Sequence, residues 1–185
     1  MLSVTDTAKE RIEAILKAQG QEGWAIRLRV LGRGIESFAY DLSSTKPETR
    51  QAGDLVVDAG PFEVFVDAES APYLEDVVID FDTARNGFHI QNPNAVWPDE
   101  TGKAAARVII EQVNPAIAAH GGAVLPVDLR DGVLYVRMLG GCQGCGLARI
   151  TLTEGVERAI KEAIPSIREV VDVTHHAAGA NPYYR

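Results

Sequence analysis

The stretch from Gly122 to Ile164, GAVLPVDLRDGVLYVRMLGGCQGCGLARITLTEGVERAIKEAI, decides how the second half of this chain folds. Two apolar runs flank Asp131-Gly132, a dipeptide suited to a two-residue hairpin turn, so the first part predicts strand, turn and strand. A glycine-set C-x-x-C follows, and LARITLTEGVERAIKEAI then predicts a helix closed by Pro165. Upstream, GKAAARVIIEQVNPAIAAHGG predicts a helix capped by Thr101, with Val108, Ile109, Val113 and Ile117 facing inward and Pro115 kinking it near its end. Downstream, IREVVDVTH predicts a last strand. The order α-β-β-α-β describes a small α+β domain.

The first half carries a different pattern. TDTAKERIEAILKAQG places Ile12, Ile15 and Leu16 on one helical face, with Thr5 or Asp6 as cap and Gly20 as stop. WAIRLRVL alternates Trp24, Ile26, Leu28 and Val30 against Arg27 and Arg29. SFAYDLS, DLVVDA, FEVFVD, DVVIDFD and GFHIQNPN follow between Gly, Pro and Asp turns, so this half predicts one helix and a set of short strands, a mostly-β domain. Prolines, amides and a glycine in QNPNAVWPDETGK mark the change of pattern, which sets domains at 1–97 and 98–185.

Composition narrows the function classes. Hydrophobic residues make up 46% and charged residues 24% of 185 positions, the balance of a chain that builds a core. Residues 1–99 hold 9 Lys/Arg against 17 Asp/Glu, a balance of −8, whereas residues 100–185 hold 9 of each. No basic stripe is present to follow a phosphate backbone, so nucleic acid is not an expected partner. No apolar run approaches the roughly 18 residues that a membrane span needs, and the N-terminus shows no secretory pattern. Unpaired, closely spaced thiols then fit a reducing cytoplasm.

Cys142 and Cys145 are the two cysteines of the chain. At the start of a helix, two thiols at this spacing point to the same side of the first turn, where free N–H groups and the helix dipole favour thiolate. Gly140, Gly141, Gly144 and Gly146 let backbone approach a bound group closely. From the spacing alone, four readings stand: packing residues, a redox pair, zinc held between chains with help from histidines, and an iron–sulfur cluster shared between chains. A four-coordinate zinc site or a cubane cluster needs four protein ligands, and one chain supplies two cysteines. Gly141-x-x-Gly144-x-Gly146 does not match a phosphate-binding loop. His89 reads as a strand residue, His120 as a helix-end residue, and His175 and His176 as the two sides of a strand end. No nucleophile–base set or acid–base pair stands out.

Asn114-Pro115, His120-Gly121-Gly122, the hairpin through Val136, Gly140-Gly141-Cys142-Gln143-Gly144-Cys145, the helix from Leu147 and the tail HAAGANPYY make residues 101–185 resemble the C-terminal domain of the NifU family, the Nfu-type iron–sulfur carriers. SVTDTAKERIEAIL, WAIRLRVLGRGIESFAYDL and NGFHIQNPN, in that order, make the first half resemble the A-type (HesB/IscA-like) carriers. A-type carriers hold metal through one loop cysteine and two near the C-terminus. Here those positions fall at about Ile35 and among Asp99, Glu100 and Thr101, so the resemblance implies a degenerate N-terminal domain without cluster cysteines. A degenerate A-type domain followed by an Nfu domain is similar to the bacterial two-domain Nfu-type carriers. That resemblance implies a carrier rather than an enzyme. Cys142 and Cys145 of two subunits would hold one [4Fe–4S] cluster per homodimer. An upstream scaffold would supply the cluster, and apo iron–sulfur proteins, aconitase-like and radical enzymes among them, would accept it. The N-terminal domain would dock those targets.

Overall fold

The computed structural model describes residues 1–118, 121–140 and 146–174. The chain forms two compact units, one of residues 1–30 and 40–95, the other of residues 31–39 and 96–185.

In the first unit, β1 (Ser3–Val4) leads into α1 (Asp6–Ala18). Thr5 is the cap: its Oγ1 accepts from the Ala8 N–H, and the chain turns off at Gly20 with φ +66. Ala8, Ile12 and Leu16 are buried, whereas Ile15 is half-buried at the edge of that face. The predicted strands appear as β2 (Ala25–Arg33), β3 (Phe38–Thr45), β4 (Leu55–Asp58), β5 (Glu63–Val66), β6 (Val78–Asp82) and β7 (Gly87–Gln91). They form one sheet in the order β3-β2-β5-β4 and another in the order β1-β6-β7.

β2 and β5 run parallel with Ile26 beside Val64 and Leu28 beside Val66, and these four join the α1 residues in one core. On the opposite face Arg27 is not a solvated charge. It lies over the Phe65 ring and donates to Asp54 at 2.8 Å, and that bond holds the Asp54 carboxyl below its usual range. The two-residue β1 escaped prediction because only its pairing with Val78 and Ile79 makes it a strand.

The second unit contains α2 (Glu100–Val108), a π-helical turn (Ile109–Val113), α3 (Asn114–Ile117), β8 (Gly122–Arg130), β9 (Val133–Gly140), α4 (Gly146–Ala163) and β10 (Glu169–Asp172). The cap of α2 is Asp99, whose Oδ1 accepts from the Gly102 N–H at 3.0 Å. This corrects the assignment of Thr101, which stands inside the first turn. A side chain at the cap reaches the N–H three residues on, and from Asp99 that N–H belongs to Gly102.

Pro115 does divide the helix. It has no N–H for the Glu111 carbonyl, and the backbone widens into the π turn just before it. β8 and β9 form the expected hairpin, with positive φ at both Asp131 and Gly132. The sheet order is β10-β9-β8, with β10 parallel to β9. Val124, Leu134, Val136 and Met138 from the sheet meet Ala105, Ala106, Ile109, Val156 and Ile160 from the helices in a second core. The fold is α+β, as expected.

Residues 31–39 are part of this second unit. Arg33 donates to the Val96 carbonyl at 2.9 Å, pairs with Asp128 at 2.9 Å, and lies over the Trp97 ring. Trp97 Nε1 donates to the Gly34 carbonyl, and its ring covers Gly102 so closely that a β-carbon there would sit 2.2 Å away. Arg137 donates to the Leu31 carbonyl, and Ile35 packs on the second core. Arg33 and Asp128 are nearly buried, with side-chain exposures of 8% and 12%.

Without Arg33 the nearly buried Asp128 keeps only the more exposed Arg130 as a cationic partner, and the Val96 carbonyl and the Trp97 ring lose theirs, so Arg33→Ala should destabilise the second unit by roughly 2 kcal/mol. Urea denaturation followed by Trp97 fluorescence in a Trp24→Phe background measures it. A change below about 0.5 kcal/mol, the scale of an ordinary surface substitution, would contradict the assignment.

Candidate metal centre

The C-x-x-C stretch is defined by its two flanks. β9 ends at Gly140 with φ +65, and α4 begins at Gly146, leaving residues 141–145 between them. Cys142 and Cys145 therefore lie outside the described residues, as do His120, His175 and His176.

Gly140 pairs with Gly122 across the hairpin. A β-carbon on Gly140 would stand 2.2 Å from the Gly121 carbonyl oxygen, so only glycine permits this approach. Gly121 also has positive φ, and its N–H donates to the Ala118 carbonyl. Two sequence motifs far apart in the chain, His120-Gly121-Gly122 and Gly140-Gly141-Cys142, thus have their described members in contact.

A third motif arrives at the same end of the sheet. Beyond β10 the pairing continues, with Val173 N–H donating to the Val136 carbonyl and Met138 N–H donating to Thr174 Oγ1 at 2.7 Å. Asp172 Oδ1 accepts from both the N–H and the hydroxyl of Thr174, which fixes that rotamer. Because β10 is parallel to β9, Thr174 stands beside Met138, two residues before Gly140. The start of β8, the end of β9 and the continuation of β10 converge there, each next to a stretch singled out in the sequence.

Other candidates are elsewhere or have other work. His89 is exposed on β7, opposite Asp80. Ile35, near the A-type loop-cysteine position, is an apolar contact of the second core. Asp99 is the α2 cap, and Glu100 and Thr101 belong to its first turn. Among the described residues, no three His, Cys, Asp or Glu side chains form a metal-binding group. Asn114 has a role that sequence reading did not single out: its side chain makes two hydrogen bonds to the backbone of Val124. The signal available was an amide immediately before the helix-breaking Pro115.

The NifU-like domain family matches residues 106–171, and the iron-sulphur cluster biosynthesis family matches residues 1–102. The Fe/S biogenesis protein NfuA of Azotobacter vinelandii (strain DJ / ATCC BAA-1303) is 34% identical over 191 residues, covering 99% of this chain and 98% of that protein. NfuA of Pectobacterium carotovorum subsp. carotovorum (strain PC1) is 35% identical over 192 residues, with complete coverage of both. Among solved structures, IscA with the [2Fe-2S] cluster aligns with a TM-score of 0.43 and 24% identity, over 56% of this chain and 96% of that one. Escherichia coli SufA aligns with a TM-score of 0.43 and 25% identity, over 51% and 82%.

Gly140→Ala should break the contact with Gly121. The positive φ alone costs an alanine about 1–2 kcal/mol, and the collision adds to it. The expected outcome is faster amide exchange at Ala123 and Leu139, the pair next to this contact, while the β6–β7 pair keeps its protection. Unchanged exchange at the hairpin end would show that the approach is not a tight one.

Proposed function

The chain belongs to the NfuA family of Fe/S biogenesis proteins, and from that premise we propose that it carries a [4Fe–4S] cluster between two subunits and hands it to apo-proteins. Cys142 and Cys145 of each subunit are the ligands, and the cluster is cargo rather than a resident cofactor. The single observation that supports this best is the convergence of β8, β9 and β10 at Gly122, Gly140 and Thr174, beside a stretch holding both thiols of the chain. Two thiolates from each of two chains make the four that a cubane cluster requires.

Divided ligation also explains release. An acceptor thiolate replaces one carrier thiolate at an iron, and the displaced thiolate leaves with its electron pair. The cluster moves without net oxidation or reduction. When the subunits part, each keeps half of the ligand set, so the cargo is less firmly held than in a site closed by a single chain.

The remaining assignments follow the same reading. Residues 98–185 form the cluster-bearing domain, and residues 1–97 form an A-type domain that docks clients. An upstream scaffold is the donor. Apo iron–sulfur proteins, aconitase-like and radical enzymes among them, are acceptors. The protein is a homodimer when loaded, acts in the cytoplasm, and is a carrier rather than an enzyme. No described helix is long and apolar enough to cross a membrane.

Anaerobic native mass spectrometry of the reconstituted protein tests the core of the proposal. A dimer carrying four irons and four sulfides is expected, and neither Cys142→Ser nor Cys145→Ser should hold it. A dimer with one zinc and no sulfide would replace the carrier reading with a structural metal bridge. A metal-free monomer with an intrachain disulfide would replace it with thiol redox chemistry.

Docking by the first domain has its own test. Glu10 and Glu13 are exposed on α1 of the acidic half. Charges at the rim of an interface act mainly on association rate. Reversing both to lysine should leave loading intact and slow transfer to some clients about tenfold at low salt. Equal transfer rates for every client tested would refute docking through this face.

A further inference from the structure

Val124 and Met138 face each other across the β8–β9 hairpin, two residues before its end at Gly122 and Gly140. Both are buried. The outer N–H and carbonyl of Val124 and the N–H of Met138 are each bonded by a side chain. On the β8 side, Asn114 Oδ1 accepts from the Val124 N–H at 2.8 Å, and Asn114 Nδ2 donates to the Val124 carbonyl at 3.0 Å. A carboxamide so placed imitates the pair of bonds that another strand would make, and it covers the outer edge of the three-stranded sheet there. On the β10 side, the Met138 N–H donates to Thr174 Oγ1, whose own proton goes to Asp172.

The sequence prepares this arrangement. The π turn at Ile109–Val113 and the missing N–H of Pro115 bring the helix to Asn114 out of ordinary α-helical phase. An uninterrupted α-helix would present a different residue to β8, since each added residue rotates the helix by about 100°.

Resting on the carrier reading above, we propose that Asn114 and Thr174 are positioning residues for the cluster ligands, clamping from both edges the rung from which the cysteine stretch departs. Neither needs to touch the cluster. Each holds backbone in place, so that Gly140 meets Gly121 and the segment carrying Cys142 starts from a fixed point. A shared cluster makes this demand acute, because any error in one subunit's ligand placement adds to the error in its partner's. Supporting groups around metal ligands commonly alter affinity by about 10–100-fold when they are lost.

Asn114→Asp, Thr174→Val and Thr174→Ser in the full chain test the idea. Asp keeps an acceptor for the Val124 N–H but sets an oxygen against the Val124 carbonyl. Val keeps the shape of Thr and loses the hydroxyl, and Ser keeps the hydroxyl. After anaerobic reconstitution, cluster lifetime against a ferrous chelator should shorten about tenfold in the first two variants. Their reduced-state electron paramagnetic resonance signal should broaden, and Thr174→Ser should behave as the unmodified protein does. Wild-type lifetimes and spectra in both Asn114→Asp and Thr174→Val would overturn the proposal, and so would a Thr174→Ser variant as impaired as Thr174→Val.

Amide exchange of the cluster-free chain separates this inference from the reading beneath it. If the unmodified protein holds no cluster, the carrier reading falls. The clamp is then judged on Val124 and Met138, whose amides should exchange at least about tenfold faster in Asn114→Leu, which removes the acceptor, and in Thr174→Val respectively. Unchanged exchange overturns the clamp by itself.

Discussion

At the end of the β8–β9 hairpin the backbone of Gly140 lies against the carbonyl of Gly121 with no space for a side chain. This steric constraint organises the second unit. It closes the hairpin at Gly122 and Gly140, and with the positive φ of Gly140 it sets the point at which the chain leaves the sheet toward Cys142. Parallel pairing of β10 with β9 brings Thr174 to the same end. A close backbone approach of this kind tolerates no side chain, so glycine there is a geometric requirement and not a matter of flexibility.

The second unit includes residues from the first half of the sequence. Arg33 is held by a carbonyl, a carboxylate and an aromatic face at once, and its neighbours Leu31, Gly34 and Ile35 each have a partner in residues 96–185. Ile35 and Asp99 both have structural work. Ile35 buries apolar surface, and Asp99 satisfies a free N–H at the start of α2.

Much of this was legible in the residues because it depends on short-range rules. The hairpin around Asp131-Gly132 follows from two adjacent residues that tolerate positive φ. The α1 face follows from helical periodicity, and the break before Pro115 follows from a missing N–H. The α2 cap was misassigned by two residues because Thr and Asp are both good caps.

The residues alone were enough to read most of the elements and their order, the family, and the fact that one chain holds two thiols, spaced as one pair. Each depends on residues close together in the chain or on their number. Tertiary structure alone decided that Arg33 meets Asp128 and Trp97, that Asn114 completes the edge of β8, and that three distant motifs flank one end of a sheet. Partners of this kind have no fixed spacing in the sequence. They are chosen when the burial of two apolar cores brings their backbones together, and buried polar groups then take the partners within reach.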